Sequence, residues 1–229
     1  MTPATWGCLA AVGESVLADE TIRVVLLRGE GESFSAGLDR AMLTTGVEDE
    51  LGRPELAALH PSALDDVIAG FQAAFTWWRD PRVVTIAAVQ GHAVGAGFQL
   101  ALACDLRVLA HDAQLAMRET SLGLVPDLAG TKPLVDVIGY SRALEICATG
   151  RWVGAEEALA LGLASLVVGR DELDAAATDL AAALLAAPAG ALRATKELLQ
   201  GAGGRTHAEQ QAAERSAQAA RLRDLAGGG

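Results

Sequence analysis

The feature that most constrains this chain is the stretch Gly91-His92-Ala93-Val94-Gly95-Ala96-Gly97-Phe98-Gln99-Leu100-Ala101-Leu102-Ala103-Cys104-Asp105. The apolar run before it, Val83-Val84-Thr85-Ile86-Ala87-Ala88-Val89, has the length and β-branched content of a buried strand. After Gly97 the pattern turns helical, with Ala and Leu prominent. The glycines therefore fall between a strand and a helix start. There the first backbone N–H groups have no intrahelical partner, and the helix dipole favours negative charge. Small residues let a ligand approach those groups closely. The stretch suits an oxyanion or a phosphate, although turns of this kind also serve purely structural ends.

Around this stretch, strands alternate with helices. Strands are expected at 22–29, 106–110, 114–117 and 164–168, in addition to 83–89. Helices are expected at 3–17, 63–78, 130–138, 141–148 and 155–161, then at 171–186, 189–199 and 206–226. Thr2 and Pro3 have the chemistry of a helix start. Residues 118–127 read as a loop with one helical turn. Between 44 and 62, Gly46, Gly52, Pro54 and Pro61 interrupt any period, so a long functional or mobile loop is expected. The terminal glycines are expected to fray. The fold class is α/β with parallel pairing, followed by a helical region. Residues 1–185 form the expected core and carry the site, and 186–229 the helical C-terminal region.

Composition narrows the function. At 229 residues and 51% apolar, the chain has the size of one domain with an ample core. A net charge of −11 argues against a nucleic-acid partner. Cys8, Cys104 and Cys147 are odd in number and far apart, which fits buried thiols in a reducing compartment rather than a disulfide framework. The start has no signal-peptide pattern and no apolar run is long enough to span a membrane. A cytoplasmic protein is expected. There is no dinucleotide fingerprint, no phosphate-binding Gly-Lys-Ser/Thr loop and no Gly-x-Ser-x-Gly nucleophile turn. His60, His92, His111 and His207 are dispersed, so no metal site is expected.

A second small-residue turn, Ser35-Ala36-Gly37-Leu38-Asp39, also follows a strand. Glu119 is a carboxylate in an otherwise apolar segment. Backbone donors from two turns plus a carboxylate are what thioester enolate chemistry needs: the donors hold the oxyanion and the acid moves a proton at the neighbouring carbon. On these residues the chain resembles the crotonase, or enoyl-CoA hydratase/isomerase, superfamily. Phe34 to Asp39 is similar to its first oxyanion motif and Gly91 to Asp105 to its second. Arg118-Glu119 with Gly123-Leu124-Val125-Pro126 is similar to its third segment. Gly139 to Ala143 and Thr149 to Ala164 are similar to its later blocks.

The resemblance implies a crotonase-like spiral of ββα units, a homotrimer or a hexamer, and an acyl-CoA thioester whose CoA is part of the substrate rather than a separate cofactor. It places the oxyanion amides at Ala36 and Ala96, and substrate contacts at Ala36, Gly37, Leu38, Asp39, Ala96 and Gln99. It makes Glu119 the acid/base and Asp127 a further catalytic candidate. Ala96 stands where the family has glycine, which a right-handed helix start tolerates.

Two departures sharpen the expectation. Gln99 stands where the hydratases have a carboxylate, and a neutral amide cannot act as a base. One remaining carboxylate suffices to move a double bond, so isomerisation is favoured over hydration. Gln99 can alternatively serve a buried hydrogen bond, Glu119 an ion pair with Arg118 or Lys132, and Asp127 a helix N-cap. A non-catalytic acyl-CoA binder, or a hydrolase or dehalogenase working through Asp127, are the alternative functions. The second departure is the amino terminus, where two family strands preceding Pro3 are not found. Uncovered apolar surface and sheet edge are expected as a result.

Overall fold

The computed structural model describes residues 1–44 and 52–227. Helix α1 (Pro3–Ala18) leads into β1 (Val24–Arg28), and the short α2 (Arg53–Ala57) into α3 (Pro61–Thr76). A first repeat follows as β2 (Val84–Val89), β3 (His92–Val94) and α4 (Ala96–Ala103). A second is β4 (Leu106–Ala110), β5 (Gln114–Ala116), a 3₁₀ turn at Glu119–Leu122, then α5 (Thr131–Ile138) and α6 (Tyr140–Thr149). The chain closes with β6 (Val153–Gly154), α7 (Ala155–Ala160), β7 (Leu166–Val168), α8 (Leu173–Ala186), α9 (Ala189–Ala202) and α10 (His207–Ala226).

The strands sort into two sheets. The larger is parallel in the order β1-β2-β4-β7, with Val24 opposite Val84, Ile86 opposite Leu106 and Val108 opposite Leu166. The smaller has the order β3-β5-β6, parallel between β3 and β5 and antiparallel between β5 and β6. Each of the two repeats thus gives one strand to each sheet and then a helix, the ββα unit of the spiral. Every residue of β2 is buried because both its faces are covered. Ile86 and Ala88 pack with Leu173 and Ala177 of α8, while Ala87 and Val89 face the main core with Phe98 and Leu102 of α4. Helix α4 is buried all round, which its composition dictates.

Two cations tie the core together. The Arg107 guanidinium, 5% exposed, donates to the carbonyls of Leu163, Ala101 and Cys104, and so occupies acceptors at the end of α4. Lys196 on α9 reaches in to Asp105 at 2.7 Å and to the carbonyls of Asp80 and Val83. Asp105 also accepts the Thr85 N–H at 2.8 Å. The acidic end of the opening motif therefore serves architecture.

The structure corrects several expectations. The strand at 106–110 holds to the residue, but β3 and β6 are not among the expected strands: β3 lies between Gly91 and Gly95 inside the glycine-rich turn, and the two residues of β6 carry no alternation. Within 44–62, residues 53–57 form α2 and α3 begins at Pro61; residues 45–51 lie outside the described residues, as do the last two glycines. Cys104 is buried, and burial pushes its thiol up to about 12, but Cys8 is exposed and Cys147 half-buried. Cys8 lies on the outward side of α1, whose buried contacts are Trp6 and Gly13. Among the described residues no single helix is long and apolar enough to cross a membrane.

Candidate active site

The two small-residue turns lie against each other. The Ser35 N–H donates to the His92 carbonyl at 2.9 Å and Val94 N–H donates to the Ser35 carbonyl at 3.0 Å. A bridge between Ser35 and Ala93 thereby adds the first turn to the edge of β3. This approach leaves no room for side chains. A Cβ on Gly37, whose φ is +89°, would lie 2.5 Å from the Val94 carbonyl oxygen and 3.8 Å from the Ala96 nitrogen. One on Gly97 would lie 2.7 Å from the Ser35 Cβ. Gly95 takes the left-handed turn at φ +52°, so Ala96 enters the first position of α4 without strain. Among the described residues, neither the Ala36 nor the Ala96 N–H donates to a protein group.

Both alanines border a cavity of about 1260 Å³. Gly37, Leu38, Asp39, Glu119 and Asp127 border it too, so residues far apart in the chain share one cavity. The Glu119 carboxylate stands beside Gly95: a Cβ on that glycine would be 3.2 Å from Oε1. Glu119 Oε1 accepts from Gln99 Nε2 at 2.7 Å, and Oε2 is buried without a hydrogen-bond partner. Burial raises the Glu119 pKa and the nearby Asp127 charge adds to this, while its own backbone N–H and then the Gln99 hydrogen bond oppose it. Burial likewise raises the Asp127 pKa. The Asp39 side chain caps the 3₁₀ turn at Arg40–Leu43 by accepting the Ala41 N–H at 2.9 Å.

Gln99 is placed differently from the contact that the resemblance implied. It is fully buried on α4 and does not border the cavity; it stands behind Glu119, with Oε1 accepting the N–H groups of Leu128 at 2.9 Å and Gly130 at 3.3 Å. No ion pair joins Glu119 to its suggested partners: Lys132 pairs with Asp136, and the Arg118 guanidinium lies 5.0 Å over the Trp152 ring. Nor is Asp127 a helix cap, since α5 starts after Gly130. Its carbonyl instead accepts from Gln72 Nε2 of α3 at 2.7 Å, which fixes the segment. Sequence reasoning singled out neither Trp152 nor Phe71 as cavity residues. A tryptophan beside a two-residue strand gives no periodic signal, and Phe71 is visible only as one apolar position of α3.

The spiral of ββα units places the chain in the crotonase fold class. It belongs to the enoyl-CoA hydratase/isomerase family, whose sequence model matches residues 8–224. It is 37% identical over 150 residues to the "Probable enoyl-CoA hydratase" of Bacillus subtilis, a match covering 65% of this chain and about half (53%) of that protein. It is 38% identical over 192 residues to the carnitinyl-CoA dehydratase of Salmonella enteritidis, covering 82% of this chain and 68% of that one. Among solved structures, a Thermobifida fusca protein assigned to the enoyl-CoA hydratases superposes with a TM-score of 0.94 at 50% identity, over 100% of this chain and 86% of that one. The same protein solved with acetoacetyl-CoA gives 0.92 at 50% identity, over 98% and 86%.

Proposed function

We propose that the cavity binds an acyl-CoA thioester and that Glu119 shifts a double bond along its acyl chain. The observation that carries the reading is that two unpartnered N–H groups, at Ala36 and Ala96, and a desolvated carboxylate border the same cavity. With the thioester oxygen on those amides, Glu119 takes a proton from C2 of a 3-enoyl thioester. The electron pair passes through the dienolate, and Glu119 returns the proton at C4. No atom is gained or lost. The relative solved with CoA, 51% identical, supports the ligand class. Arg40 and Arg53 border the same cavity and put local positive charge where an otherwise acidic chain can meet phosphates. Isomerisation is preferred to hydration because position 99 supplies no second base.

Asp127 carries a second reading. It is a desolvated carboxylate on the same cavity and could open the thioester or displace a halide as a nucleophile. One assay set separates the readings: a 3-enoyl-CoA, crotonyl-CoA and a saturated acyl-CoA offered to wild type, Glu119→Gln and Asp127→Asn. The isomerase reading expects the first substrate to react and Glu119→Gln to stop it. Equal rates in wild type and Glu119→Gln would sink that reading. A covalent intermediate lost only in Asp127→Asn would establish the second. CoA binding without turnover of any substrate would identify a non-catalytic binder. The expected assembly is a homotrimer or a hexamer, which light scattering of the purified chain reads directly.

A further inference from the structure

We propose that Gln99 is a positioning residue: its carboxamide carries and orients the Glu119 carboxylate and makes no contact with the substrate. The proposal rests on the reading of Glu119 as the base. It differs from the substrate contact that the resemblance implied for this position.

The argument starts from the two ends of the amide. One end meets the N–H groups of Leu128 and Gly130. Only an oxygen accepts both, so Oε1 lies there and the NH₂ group must face the other way. That other end meets Glu119 Oε1 at 2.7 Å. The donor role at Glu119 is thus set by the network itself. Leu128 and Gly130 converge on one acceptor because Ala129 between them has φ +61°, among the described residues the one non-glycine at positive φ. Backbone of this kind makes a concavity lined by N–H groups. Alanine adopts it at a cost, and such strain persists where surrounding structure over-determines the geometry. Gly130 is fitted to the same side chain: a Cβ there would lie 2.6 Å from Gln99 Cγ.

No other side chain of this size does both tasks. Methionine would fill the volume and leave two amides and the Glu119 oxygen without partners. Glutamate would accept from Leu128 and Gly130, but when ionised it cannot donate to Glu119 and would set a second negative charge against it. With Oε1 held by Gln99, Oε2 is the oxygen left to take a proton. A hydrogen bond donated to a carboxylate favours its charged, basic form. The ionisable groups facing Glu119 are Asp127, ahead of α5, and the Cys147 thiol of α6, with the neighbouring Arg118 turned onto Trp152.

The test compares Gln99→Met and Gln99→Glu with wild type and Glu119→Gln, all as the full chain, in the pH profile of 3-enoyl-CoA isomerisation. In Gln99→Met the rising limb of kcat is expected to move up by about one pH unit. At pH values on that limb kcat falls about ten-fold, with KM within about two-fold. Gln99→Glu keeps the acceptor for both amides, so its fold is supported even if the methionine variant misfolds; its limb moves up at least as far. A merely structural glutamine would lower the melting temperature and the active fraction and leave the limb in place. Positioning is overturned alone if Glu119→Gln is inactive while folded Gln99 variants keep the wild-type profile, or if KM rises and kcat holds. A wild-type rate in Glu119→Gln overturns the base, and this proposal with it.

Discussion

The cavity has two walls built on opposite principles. One is backbone: the turns at Ser35–Gly37 and Val94–Gly97, hydrogen-bonded to each other, with Gly37 and Gly97 where a Cβ would collide. The other is side chain: Glu119 and Asp127 held in desolvated surroundings that raise both pKa values, with Gln99 behind the first. On the proposed reading, the backbone wall needs the same thing for stability and for function, since the contacts that hold the turns together also aim the amides. On the side-chain wall they conflict, because a buried carboxylate is useful as a base for the reason that it is costly to the fold.

Glu119→Gln exposes that conflict most strongly. Isomerisation is expected to fall about 10²–10⁴-fold, the worth of a general base. The glutamine keeps an oxygen for Gln99 and carries no charge. In the wild type, the unfolded chain releases the Glu119 proton near its ordinary value of 4.5, and the folded chain holds it to higher pH. Between those two points the folded state binds more protons, so this group's contribution to stability declines as pH rises through the window. Thermal melts should therefore show Glu119→Gln more stable than wild type at pH 8, with the difference vanishing below about pH 4.5. A variant equally inactive but less stable at pH 8 would remove the conflict from this wall.

Gly37→Ala tests the other wall and should lose both properties together. Its Cβ would be forced to 2.5 Å from the Val94 carbonyl at a φ of +89°. Relieving the clash moves Ala36 away from β3. The expected loss is about 10²–10³-fold in kcat for a misplaced oxyanion donor, and roughly 1–3 kcal/mol in urea unfolding. Activity lost at unchanged stability would show the turns to be independent, and the contrast between the walls would fail.

The two walls also differed in how far they could be read from sequence. The backbone wall was legible because close approach at Gly37 and Gly97, and positive φ at Gly95, demand small residues that the sequence shows as glycine. The main-sheet strands were legible for a similar reason, since β2 and β4 are buried runs bounded by turn residues. Gln99 was legible as the polar residue of an apolar helix, with a buried hydrogen bond among its readings, but its partners were not. Its partners Leu128 and Gly130 are backbone groups 29 and 31 residues further on, and backbone amides have no letter in a sequence. The short α2 was hidden because five residues cannot complete two turns of a helical period.

A smaller effect is expected at Asp127, and its sign is informative. The Asp127 charge is one of the causes that raise the Glu119 pKa, after burial. Asp127→Asn removes it, so the rising limb of the isomerisation profile should move to lower pH, with kcat changed by less than about ten-fold. A fall of several hundred-fold would instead make Asp127 a reacting group, and the side-chain wall would hold two working acids.

The smallest effect is at Ala129, where the side-chain wall borrows a strained backbone. Left-handed backbone costs an L-residue about 1–2 kcal/mol, and Ala129 is exposed, so its methyl repays little of this by packing. Glycine removes the strain but enlarges the conformational freedom of the unfolded chain, which costs about 0.4–1 kcal/mol. The balance favours Ala129→Gly by up to about 1 kcal/mol, or about 2–4 °C in melting temperature. The gain depends on the left-handed turn being imposed by the Leu128 and Gly130 amides converging on Gln99. Combined with Gln99→Met, which removes that acceptor, the same substitution should gain nothing, because the turn is then free to relax. Equal gains in both backgrounds would mean that the turn is set by chain connectivity, and that Gln99 occupies a concavity it does not help to shape.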